Sequence, residues 1–147
     1  MGLNATLRRW LACSSVGLGL LCAAPLQAQQ AASCPTLPAG SSLQWQEIRN
    51  PDLLFCKAVD ANGSQAFSVM ISRESPFKPT RNLREEASSI NGQSAWWYRT
   101  EIATRPDVLA REAAIELANG DVAYFNVQAN SDEELQRAYA IVAGLGF

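Results

Sequence analysis

The residues that could do chemistry are few, and their spacing is poor. Two adjacent carboxylate pairs, Glu85-Glu86 and Glu133-Glu134, have the side chains of an acid/base couple. Neighbours in sequence point in different directions, however, and both pairs lie in strongly polar stretches, so solvated charge is the expected role. The chain has no His, which removes the usual general base, the commonest metal ligand and the usual pH switch. A serine nucleophile would then need a lysine, and neither Lys57 nor Lys78 stands in a Ser-x-x-Lys motif. Phosphate-cradling glycine loops, calcium loops and Cys/His metal spacings do not occur, so neither an enzyme nor a cofactor or metal is expected. With 12 basic residues against 14 acidic ones and no basic run, nucleic acid is not expected as a partner.

Two of the four cysteines sit in a segment with its own signature. Arg8 and Arg9 are followed by a stretch, 10–24, that is nearly all apolar or small, and polarity returns at Gln27. A basic start, a short apolar run and a small residue at Ala28 form the pattern of a secretory signal peptide, 1–28, with cleavage near Ala28. The run is shorter than the roughly 20 residues that span a bilayer, so no membrane anchor should remain after cleavage. Processing would leave Cys34 and Cys56, an even pair 22 residues apart, which suits a structural disulfide in an oxidising compartment. Loss of Arg8 and Arg9 takes the balance to 10 against 14, a net charge of -4.

Behind a lead-in segment, 29–42, the remainder, 43–147, reads as a single α+β domain. Asn62-Gly63, Asn91-Gly92 and Asn119-Gly120 can each supply the two positive φ values of a type I′ hairpin turn. Leu53–Val59 and Gln65–Ser72 flank the first, and in the latter Phe67, Val69 and Ile71 alternate with Ser68, Met70 and Ser72. The segment 93–102, with Trp96-Trp97-Tyr98, follows the second turn, while Arg84–Ile90 before it could be a strand or a short helix capped through Asn82 and Glu85. Segments 109–117 and 123–128 flank the third turn, and 43–48 adds a first strand. Ser131-x-x-Glu134 is a capping box, after which Leu135, Ala138, Tyr139, Val142 and Leu145 recur at helical spacing. The expected fold is an antiparallel meander of about six strands with a C-terminal amphipathic helix packed on it.

The closing third, with its Trp-Trp-Tyr strand, the hairpin about Asn119-Gly120, and Ser131-Asp132-Glu133-Glu134-Leu135 running into Ala143-Gly144-Leu145-Gly146-Phe147, resembles the end of PsbP-like α/β/α proteins. The resemblance is one of pattern and covers about half of the processed chain. It implies a protein partner rather than a reaction, and it assigns no functional residue.

With catalysis set aside, the surface carries the function. Trp96, Tyr98 and Ile102 share number parity with Ile90, so Trp96 and Tyr98 are expected in the core. Trp97 and Arg99 then fall on the outer face with Tyr124, Asn126, Gln128 and Met70. An exposed Trp among Tyr, Met and Arg has the composition of an interaction hot spot; the alternative is that the helix or a loop covers Trp97. The polar stretch 73–89 contributes Phe77 with Lys78, Arg81 and Arg84, either as a charged binding loop or as an ordinary solvated one. The candidate site is thus Trp97, Arg99 and Tyr124 as an anchor patch, with Phe77, Lys78, Arg81 and Arg84 as a charged loop. The chain is expected to be a periplasmic, Gram-negative-type binding module for another exported or envelope protein, of the inhibitor, immunity or adaptor kind. Its rival is a carrier of a small apolar ligand held between sheet and helix and lined by Trp96, Tyr98 and Tyr139.

Overall fold

The computed structural model describes residues 33–147. The expected signal peptide and its cleavage site lie outside the described residues. Seven antiparallel strands, β1 (Gln44–Asn50), β2 (Leu53–Val59), β3 (Gln65–Ser72), β4 (Arg84–Ile90), β5 (Gln93–Thr100), β6 (Leu109–Glu116) and β7 (Val122–Ala129), form one sheet, and a single helix, α1 (Asp132–Ala143), packs on it. The sheet order is β1-β2-β3-β7-β6-β5-β4. Two meanders are therefore fused through β3 and β7, with the long β3–β4 connection crossing from the middle of the sheet to its far edge. The ambiguous segment Arg84–Ile90 is a strand, preceded by one 3-10 turn at Arg81–Leu83.

The alternation in β3 and β7 decides the core. Phe67, Val69 and Ile71 stand opposite Val127, Phe125 and Ala123, all on one buried face. Leu54, Cys56 and Ala58 from β2, Ala113 and Ile115 from β6, and Ile90 from β4 complete it. This inner face is closed by α1, whose Leu135, Ala138, Tyr139 and Val142 point inward. Ser131 caps the helix by accepting from the Glu134 N–H at 3.2 Å, and Asp132, Glu133 and Glu134 occupy its positive first turn.

The lead-in closes the rest of that face. Cys34 is disulfide-bonded to Cys56 of β2. Thr36 and Gly146 exchange backbone hydrogen bonds of 2.7 and 3.0 Å, which ties the lead-in to the chain's last residues. Trp45 of β1 donates its indole N–H to the Pro35 carbonyl at 2.7 Å and packs edge-on against Phe67.

The three Asn-Gly pairs all make hairpins, but only Asn91-Gly92 is a type I′ turn, with φ of 50° and 72°. At the other two only the glycine, Gly63 or Gly120, has positive φ. There the Gly63 N–H bonds to the Asp60 carbonyl and the Gly120 N–H to the Leu117 carbonyl, giving three-residue loops with a glycine bulge. Local side chains select this form: Asp60 Oδ1 accepts from the N–H groups of Asn62 and Ser64, and Asn119 Oδ1 accepts from Asp121.

The disulfide closes a 22-residue separation, which should constrain the unfolded chain by about 3 kcal/mol. Urea unfolding of the oxidised protein should therefore show a clearly higher midpoint than the same protein under reductant, with the lost stability near that value.

Candidate functional site

Because α1, the lead-in and the C-terminal residues close the inner face, the outer face is where side chains of β2 to β6 can meet a partner. Its covering is partial and comes from the β3–β4 connection. Arg73 holds the start of this strap through an ion pair with Asp121, 3.1 Å. Ser75 Oγ accepts from the Phe77 N–H at 3.1 Å, and Pro76 and Pro79 stiffen the span. The Phe77 ring then lies on the sheet, with centroids 5.2 Å from Tyr98 and 6.0 Å from Tyr124.

At the far end of the strap the chain enters β4 through a bulge between Arg84 and Ala87. The bulge turns Arg84 onto the outer face, opposite Tyr98. Its guanidinium carbon sits 4.6 Å above the centre of the Trp96 ring and 5.7 Å from that of Tyr98, and Nη2 donates to the Tyr98 hydroxyl at 3.2 Å. Trp96 keeps 40% of its surface exposed. Lys78 and Arg81 are exposed on the same strap and make no ion pair among the described residues.

Tyr124 anchors the centre of the patch by donating its hydroxyl to Glu112 Oε2 at 2.8 Å. Burial, reinforced by the neighbouring Glu112 carboxylate, pushes its phenol up to about 12. The outer face thus presents Phe77, Arg84, Trp96 and Tyr124 as one aromatic and cationic surface packed over the buried Tyr98, with Lys78 and Arg81 exposed on the strap that crosses it.

Two expected members are not there. Trp97 is fully buried on the inner face, stacked on Tyr139 of α1 with centroids 4.5 Å apart and planes at 17°. Arg99 shares that face and pairs with Glu85 at 3.5 Å. Trp96, expected in the core, is exposed on the outer face instead, and Tyr98 also stands on that face but is buried, 8% exposed, beneath Phe77 and Arg84. The reason is the two-residue turn at Asn91-Gly92: it sets Ile90 opposite Gln93, so number parity inverts across the hairpin. Ile90, fully buried, therefore shares its face with Ala95 and Trp97. That signal was present in the sequence, since Ile90 is the one large apolar residue of its strand. The patch and the loop, expected as separate candidates, meet where Phe77 lies against Tyr98 and Tyr124 and Arg84 bonds to Tyr98, and simple parity put Trp96 and Trp97 on the wrong faces.

Behind Trp97 lies a small ionic cluster. Tyr139 donates to Glu86 Oε2 at 3.0 Å, and Arg111 approaches the same carboxylate at 3.8 Å. Burial beside Glu86 holds the Tyr139 phenol far above its ordinary range. Among the described residues no three Cys, Asp or Glu side chains gather where they could hold a metal.

No family model, curated protein or solved structure matches this chain.

Both perturbed phenols have a folded-state pKa above the unfolded value of 10. The folded protein holds these protons more tightly, so the stability they confer is complete below pH 10 and is lost as pH rises, for Tyr124 from 10 towards about 12 and for Tyr139 over a range that extends beyond that. Spectrophotometric titration should show Tyr124 and Tyr139 still protonated at pH 11, with Tyr124→Phe removing the transition near 12.

Proposed function

We propose that the protein is an exported, non-catalytic binding module that docks another exported or envelope protein on the outer face of its sheet. Trp96, Arg84, Phe77 and Tyr124 form the anchor, with Lys78 and Arg81 on the rim. The observation that carries this reading is Trp96, 40% exposed beneath the Arg84 guanidinium on a sheet whose other face is closed. Large aromatics with Arg are the side chains that dominate interface energetics, because they bury much area at little entropic cost. Three basic residues of the strap region without an ion pair among the described residues, Lys78, Arg81 and Arg84, favour an acidic partner patch and faster encounter. Trp97 and Arg99 are not part of this proposal, since Trp97 is fully buried and Arg99 lies on the opposite face, paired with Glu85.

The disulfide suits an oxidising compartment, and with the signal-like segment 1–28 it supports a periplasmic location. The PsbP-like pattern of the closing third points in the same direction, towards a protein partner. Inhibitor, immunity and adaptor roles share this design. The carrier reading has less support: Trp96 and Tyr98 lie on the opposite side of the sheet from Tyr139, and the space between sheet and helix is filled by Trp97, Phe125, Leu135 and Val142.

Trp96→Ala should leave the fold intact and weaken partner binding by roughly 30-fold or more, as truncation of an interface anchor does. Trp97→Ala should instead cost about 3–5 kcal/mol of stability. Affinity capture from envelope and secreted proteins with the native chain and both variants checks the pair. A partner retained in full by Trp96→Ala would remove the outer face as the docking surface.

A further inference from the structure

The sheet has two edges, and they differ. On β4 the ladder breaks at the bulge between Arg84 and Ala87, and its charged residues are engaged by Arg99 and Tyr139. Bulges and engaged charges are the usual means of blunting an edge. On β1 all seven residues pair with β2 without a shift, from Gln44 opposite Val59 to Asn50 opposite Leu53. Among the described residues nothing pairs with its other side. The strand has no proline and no bulge, and Ile48, two residues from its C-terminal end, is 58% exposed, the most exposed large apolar side chain described.

Within its sequence, Gln44-Trp45-Gln46-Glu47-Ile48-Arg49-Asn50, the five residues 46–50 are complementary to themselves when run antiparallel about Ile48, while Trp45 and Gln44 fall opposite Pro51 and Asp52 beyond the strand's end. That register sets Ile48 against Ile48 of a second copy. It sets Glu47 against Arg49 twice, and Gln46 against Asn50 twice. Sliding the strands by two residues in either direction keeps the faces matched but puts Glu47 opposite Glu47 or Arg49 opposite Arg49, which like-charge repulsion disfavours. Sliding by one puts Ile48 on the face of the charges.

The outer face supports the same register. Ile48 stands beside Phe55, Phe55 beside Met70, and Met70 beside Tyr124, a cross-strand apolar row that ends at the exposed Ile48. Within one chain Glu47 pairs with Arg49 at 2.7 Å through Oε1 while its Oε2 lies 3.4 Å from Cys34 Sγ, and more than 40% of each side chain is exposed. An exposed pair of this kind is worth little, so exchanging it for two pairs across a new ladder costs little.

We propose that β1 is a homodimerisation edge. Two copies join antiparallel about Ile48, making one continuous sheet from two seven-stranded halves related by a two-fold axis, with Glu47 of each copy paired to Arg49 of the other. The edge lies at the opposite end of the sheet from Trp96 and Arg84, so dimerisation and partner docking are separable.

The test is sedimentation equilibrium of the full disulfide-bonded protein over micromolar to millimolar concentration, with Glu47→Arg and Arg49→Glu. Native protein should approach twice the chain mass. Each variant alone should remain at the single-chain mass, since its two edge strands would bring four like charges together, while circular dichroism and disulfide content stay native. An equimolar mixture of the two variants should recover the dimer, because an edge carrying two positive charges then meets an edge carrying two negative ones in the same register. Monomeric native protein at all concentrations, dimers unaffected by either variant, or a mixture that stays monomeric would each overturn the proposal.

Discussion

The stack of Trp97 on Tyr139 is the contact on which the rest of the molecule depends. It joins β5, near one end of the sheet, to the middle of α1, and the Tyr139 hydroxyl reaches past it to Glu86 on the edge strand β4. One aromatic pair and one charged hydrogen bond thereby fasten the helix to the part of the sheet farthest from the disulfide. At the other end Cys34–Cys56 and the Trp45 indole fasten the lead-in. Between these two fixings the inner face is filled with ordinary apolar side chains, among them Leu135, Ala138 and Val142 of the helix.

Once Trp97 is committed inward, the strand's alternation commits Trp96 and Tyr98 outward. Two large aromatics on a solvent face would be a liability. The strap answers it by laying Phe77 over Tyr98 and Tyr124 and by placing Arg84 over Trp96. The same arrangement leaves part of Trp96 uncovered and lines the strap with unpaired positive charge. A surface suited to recognition thus arises from the geometry that makes the core, since the residue displaced from the core is the one presented to a partner.

Much of this was legible in the sequence. The strands, the capped helix, the cysteine pair and the polar strap follow from alternation, helical spacing and turn chemistry, all of which act over a few residues. The turn types were legible only in part. Asn-Gly allows type I′, but the Asp60 and Asn119 carboxyl and amide oxygens can bond the backbone of their own loops, and that choice converted two of the three turns into bulged loops. The face of Trp97 was also encoded, in the two residues of the Asn91-Gly92 turn and in Ile90, yet number parity concealed it because a two-residue turn inverts the count.

By itself the sequence determined the class of object: an α+β domain with one helix, antiparallel strands, a structural cysteine pair and no histidine chemistry. Tertiary structure alone decided that β3 pairs with β7, because a strand's partner so distant in the chain is chosen by which apolar faces fit, and no local signal carries that. It also decided which aromatic each face receives. Both faces of β5 bury large side chains, one under α1 and the other under the strap, so composition could not tell them apart until the helix and the strap were in place.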